Sequence, residues 1–92
     1  MMLTLELRYI AHVAMLTENV LKEPWHTSAA TMRELISELD AHYGGFKEMF
    51  VDPASGQIRL NAMIYYNDKG EVPISVIDLA HPLHDQGIVT FW

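Results

Sequence analysis

Thr31-Met32-Arg33-Glu34-Leu35-Ile36-Ser37-Glu38-Leu39-Asp40-Ala41-His42-Tyr43 is the stretch that decides the fold. Thr31 and Glu34 make a capping box, in which the threonine hydroxyl accepts from the third helical N–H and the glutamate reaches back to the cap. Met32, Leu35, Ile36, Leu39 and Tyr43 recur at the spacing of one helical face, and Arg33, Glu34, Ser37, Glu38 and Asp40 fall on the other. Gly44 follows where a left-handed backbone costs glycine little. The spacing predicts a helix of about three and a half turns.

Around this helix the chain reads as strands. Leu3, Leu5, Leu7 and Tyr9 alternate with Thr4, Glu6, Arg8 and Ile10, the period of a half-buried strand. Residues 11–19 fit either the start of a helix or a wide turn. Val20 to Trp25 reads as a second strand, and Pro24, which lacks a ladder donor, makes it an edge or ends it. Phe46 to Phe50 reads as a short turn plugging one end of the core. Asp52-Pro53-Ala54-Ser55-Gly56 is a turn by composition. From Ile58 to Tyr66 alternation resumes and predicts a third strand. Asn67-Asp68-Lys69-Gly70 is a tight turn. Val72 to Ile77, with Pro73, is an edge strand, and Ile88 to Trp92 closes the set. One helix between the second and third strands is the only element long enough to carry a crossover. The expected class is α+β, a mixed sheet of four to five strands with one main helix on one face, in the β-grasp or ubiquitin-like arrangement.

Composition narrows the function. The 92 residues make one domain spanning 1–92. Twelve acidic against six basic residues give a net charge of −6, and no run of Lys or Arg occurs. Counterion release therefore works against nucleic-acid binding, and an anionic membrane surface is disfavoured for the same reason. Acidic surface steers toward a basic protein partner. The sequence has no cysteine, which removes disulfides, thiolate nucleophiles and Cys-type metal sites. No apolar run approaches the ~18 residues of a membrane span, and Glu6 and Arg8 interrupt the N-terminal apolar stretch, so the expected location is the cytoplasm.

Several segments together resemble the MoaD/ThiS family of small ubiquitin-like sulfur carriers. The helix from Thr31 to Tyr43 is similar to that family's helix, and Phe46-Lys47-Glu48 to the turn after it. Tyr66-Asn67 resembles the Val-Asn ending its third strand, and Pro82-Leu83-His84-Asp85-Gln86-Gly87 resembles its Pro-Leu-x-Asp-Gly-Asp turn. Val89 and Phe91 fall where it places core residues of the last strand. The likeness covers about residues 28–92. It implies a protein partner, either an adenylating (E1-like) enzyme or a synthase subunit of molybdopterin or thiamine biosynthesis. In the family a mobile Gly-Gly tail follows the last strand and its carboxylate carries the sulfur; glycines are needed because the tail threads a narrow channel. Trp92 stands within the strand, and no Gly-Gly follows it here. Residues 11–19 also lack the family's usual Arg-Glu and glycine. The expectation is a non-catalytic interaction module related to the carriers. The alternative is a carrier whose Gly-Gly tail lies beyond this sequence.

The candidate partner-binding residues are Trp92, Phe91, Tyr65 and Met63. Exposed Trp is over-represented at binding hot spots, and alternation puts Met63, Tyr65 and Ile10 on the face away from the helix. The bland reading puts Phe91 in the core and lays Trp92 over the sheet end. His81-x-x-His84-Asp85 offers three potential metal ligands and would need a further one from His12, His26 or His42. A solvated turn, with Asp85 capping its own backbone, is the expected role, with no metal and no cofactor. No Gly-x-Ser-x-Gly or phosphate-cradling loop occurs, and Ser28, Ser37, Ser55 and Ser75 lack any sign of activation, so no enzyme is expected. Glu34 and Glu38 read as a solvated helix face. A third reading is a structural domain that dimerises through edges near Val20 and Val72, against which Pro24 and Pro73 both act.

Overall fold

At the start of the long helix the threonine half of the capping box forms, and Glu34 reaches one residue past the cap. Thr31 Oγ1 accepts from the Glu34 N–H at 3.4 Å, and Glu34 Oε1 accepts from the Ala30 N–H at 3.3 Å. At the far end Gly44 adopts φ 85° and donates its N–H to Asp40 O. The computed structural model describes residues 2–92. Its elements are β1 (Leu3–Tyr9), α1 (Val13–Leu16), β2 (Lys22–Thr27), α2 (Met32–Tyr43), α3 (Phe46–Phe50), β3 (Ile64–Asn67), β4 (Ile74–Ser75) and β5 (Ile88–Phe91).

The strands form one sheet in the order β2-β1-β5-β3-β4. β1 and β5 are parallel, and every other pair is antiparallel. With α2 packed across one face, this is the ubiquitin-like β-grasp that the strand and helix order predicts. Inward-pointing Leu5, Leu7, Tyr9, Ile64, Tyr66, Val89 and Phe91 meet Met32, Leu35, Ile36 and Leu39 of α2. α3 plugs the end of this layer. Phe46 and Phe50 are fully buried, and their rings lie 5.5 and 5.2 Å from that of Phe91.

Four elements are left open by the sequence or placed differently by the structure. First, of the two readings of residues 11–19 the helical one holds: they form a single helical turn, α1, with Val13 and Ala14 buried, entered and left through positive φ at Ala11, Glu18 and Asn19. Second, β2 begins two residues late. Thr17 Oγ1 donates to Val20 O, which binds Val20 into the return from α1, and the ladder starts at Lys22 opposite Arg8. The edge role that Pro24 demands is borne out. Third, β3 begins at Ile64 rather than Ile58. Ile58 pairs instead with Val51 at the exit of α3, the chain turns at Leu60-Asn61, and Leu60 is fully exposed. Fourth, β4 keeps only two of the six residues expected of it.

Candidate functional site

Period-two alternation turns every second strand residue away from α2. Tyr9 pairs with Phe91 and Phe91 with Ile64, so the next row holds Ile10, Trp92 and Met63. Backbone bonds fix that row: the Ile10 N–H donates to Phe91 O at 3.0 Å, and the Trp92 N–H donates to Met63 O at 2.9 Å. Trp92 is 48% exposed and Met63 45%. Half-buried Tyr65, opposite Thr90, lies two rows back on the same face and donates its hydroxyl to Met63 Sδ at 3.4 Å. Trp92, Met63 and Tyr65 thus adjoin one another at one end of the outer face. Phe91 does not join them. It is fully buried on the other side of β5, so its place among the partner-binding residues is corrected to the core.

The histidine turn is organised by a residue that sequence reading did not single out. The Tyr66 hydroxyl accepts from the His84 N–H and donates to Asp68 Oδ1, both at 2.8 Å. Asp68 Oδ1 also lies 3.1 Å from His84 Nδ1. Burial, followed by the bond to Asp68, pushes the Tyr66 phenol up to about 12. The bonds from Tyr66 and then His84 hold the Asp68 carboxyl below its usual value. Asp85 faces away, and its carboxylate accepts from the Thr4 N–H at 2.8 Å, stapling β1 rather than its own turn. His81 lays its ring against that of Tyr66 at 5.1 Å. His26 meets Thr4 Oγ1 and His42 packs on Trp25 and Tyr43, so neither comes to His81 or His84. Among the described residues no three His, Cys, Asp or Glu side chains gather as a metal site.

Two further carboxylates tie β2 to α2. Glu23 Oε2 accepts from the hydroxyls of Tyr9 and Tyr43 at 2.6 and 2.7 Å. Burial and then this bond push the Tyr43 phenol up to about 12 and that of Tyr9 higher still. Glu38 accepts from Trp25 Nε1 and Thr27 Oγ1, so it is not on a solvated face as the helical spacing suggested. Both pairings are long-range and leave no local signal in the sequence. Chemically these clusters satisfy buried donors and fix strand to helix.

No family model matches the sequence, and no curated protein matches it. Solved structures do match. The solution structure of the HVO 2177 protein of Haloferax volcanii shares 20% identity over 98% of this chain and 81% of its own, with a TM-score of 0.76. A putative molybdopterin converting factor, subunit 1, from Pyrococcus furiosus shares 20% identity over 97% of this chain and 94% of its own, at 0.68. CysO of Mycobacterium tuberculosis, described as an antigen, shares 23% over 96% of both chains, at 0.72. At these identities the likeness establishes the β-grasp fold over nearly the whole chain. Among the described residues no helix is long and apolar enough to cross a membrane.

Proposed function

We propose that this chain is a MoaD/ThiS-like interaction module that docks a protein partner through the outer sheet face, at the end where β1 and β5 finish. The observation that carries the reading is the pair Trp92 and Met63, exposed beside half-buried Tyr65 and Ile10 on a sheet whose other face is all core. A half-exposed Trp with apolar neighbours is the composition of a binding hot spot. A molybdopterin converting factor subunit among the similar structures supports the family resemblance. The partner is then an adenylating enzyme or a synthase subunit, encountered in the cytoplasm, and the chain itself performs no catalysis.

The test is co-purification of wild type and Trp92→Ala with candidate adenylating and synthase subunits. Recovery should fall at least tenfold in the variant; equal recovery sinks the reading. The sulfur-carrier alternative is favoured by one observation. Trp92 directly follows β5 and belongs to this patch, so a following Gly-Gly tail would emerge against the docked partner. Intact mass of the endogenous protein separates the two readings. Mass beyond Trp92 that matches such a tail, with a fraction carrying sulfur in place of oxygen, selects the carrier. Mass ending at Trp92 selects the module.

A further inference from the structure

We infer that the cavity between the β3–β4 turn and the turn at residues 81–84 is a docking site for a lysine or arginine side chain of a partner protein. The site is separate from the Trp92 patch and goes beyond the docking reading above. The cavity has a volume of about 180 Å³. It opens on the side of the sheet that carries α2: Tyr66 in its wall belongs to the core, and Pro82 bridges to Thr31 at the start of α2.

The lining matches the two parts of such a side chain. Asp68 and Glu71 supply carboxylates, and Val72, Ile74 and Pro82 supply an apolar wall. Val72 is 82% exposed and Ile74 54%, so the aliphatic stem of a lysine or arginine would cover apolar surface now left in water while its head meets the carboxylates.

The charge of the cavity has one sign. No lysine or arginine lines it. Lys69, next to Asp68 in sequence, lies instead beside Glu6 and Gln86 in a groove on the outer face. Asp68 Oδ1 is taken by Tyr66 and His84, leaving Oδ2 without a bond among the described residues. Those two bonds hold the Asp68 carboxyl below its usual value and so keep it ionised. Glu71 has no ion-pair partner among the described residues. The remaining titratable groups are the Tyr66 phenol, kept neutral by burial and then its bond to Asp68, and the imidazoles of His81 and His84. An imidazole is charged only when protonated, in acid. With both imidazoles neutral, the cavity carries two carboxylates and no cation. The net charge of −6 has the same sign, so steering at long range and the local site select the same basic partner.

The test titrates hexalysine into the isotope-labelled full chain at pH 8 and follows amide shifts. Saturable shifts are expected at Asp68, Glu71, Val72 and His84. Asp68→Asn/Glu71→Gln should bind at least fivefold more weakly. Glu18→Gln/Glu48→Gln removes the same charge from exposed positions after α1 and on α3, and should change affinity less than twofold. Glu71→Gln alone leaves the bonds among Tyr66, Asp68 and His84 in place and should still weaken binding at least twofold, which separates lost attraction from a loosened turn. Absent shifts at the cavity, no loss in Glu71→Gln, or an equal loss in the two double variants would overturn the inference. The cavity and Trp92 lie on opposite faces of the sheet, so failure here leaves the docking reading standing. Failure of the co-purification test likewise leaves the hexalysine result unchanged.

Discussion

The two faces of the sheet are built by the same strands and differ in almost every property. The inner residues Leu5, Leu7, Tyr9, Ile64, Tyr66, Val89 and Phe91 are at most 3% exposed, and their polar atoms are all partnered. The outer residues of the same strands include Glu6, Arg8, Thr90 and Tyr65, and Trp92 follows directly on β5; none of them is buried. A single-residue step along a strand thus separates positions that hold the fold from positions free to recognise something else. If the outer face docks a partner as proposed, stability and recognition rest on different side chains and should change independently.

The largest effect that would test this division is Phe91→Ala. It removes a ring packed against Tyr9, Phe46 and Phe50, and should cost about 3–5 kcal/mol in denaturant unfolding. A loss below about 1 kcal/mol would break the comparison. Next comes Gly87→Ala. A Cβ there would lie 2.5 Å from the Tyr66 hydroxyl, so about 1–3 kcal/mol should be lost as the His84–Asp68–Tyr66 node is forced open. The alkaline limb is more gradual. Tyr43 and Tyr66 ionise near 12 when folded but near 10 when unfolded. Their contribution is therefore complete below pH 10 and is lost as pH rises toward 12. Denaturant midpoints should hold steady up to about pH 9 and fall beyond pH 10; a flat profile to pH 12 would contradict the buried phenols. The smallest effect on stability should come from Trp92→Ala, at less than about 1 kcal/mol, in the same variant whose partner recovery falls tenfold.

Much of this division is legible in the sequence. The capping box and the apolar spacing from Met32 to Tyr43 locate α2, because both signals are local and agree. Alternation from Leu3 to Tyr9 assigns faces correctly for the same reason. It misleads from Ile58 onward, where the apolar rhythm continues although the chain turns and exposes Leu60. Pairing of Ile58 with Val51 overrides the local pattern, and only tertiary contact reveals it. Of the candidate site, Met63 and Tyr65 emerge from alternation, and Trp92 from the preference for exposed Trp at hot spots. The node of Tyr66, Asp68 and His84 and the Glu23 bond to two tyrosines join residues far apart in the chain.

The parallel pairing of β1 with β5 also affects how the chain comes to be folded as it is made. Glu6 pairs with Ile88, and β5 fills the centre of the sheet between β1 and β3. Synthesis delivers β1, β2 and α2 early, but the middle position stays vacant until residues 88–91 have left the ribosome. Until then β1 and β3 each present an open edge, and the apolar side of the layer is only partly covered. Pairing between such distant segments is slow because loop closure precedes any reward in contacts. Each newly made chain therefore passes through an interval in which it can bind the wrong strand or a chaperone, and that interval closes only when the final strand is inserted.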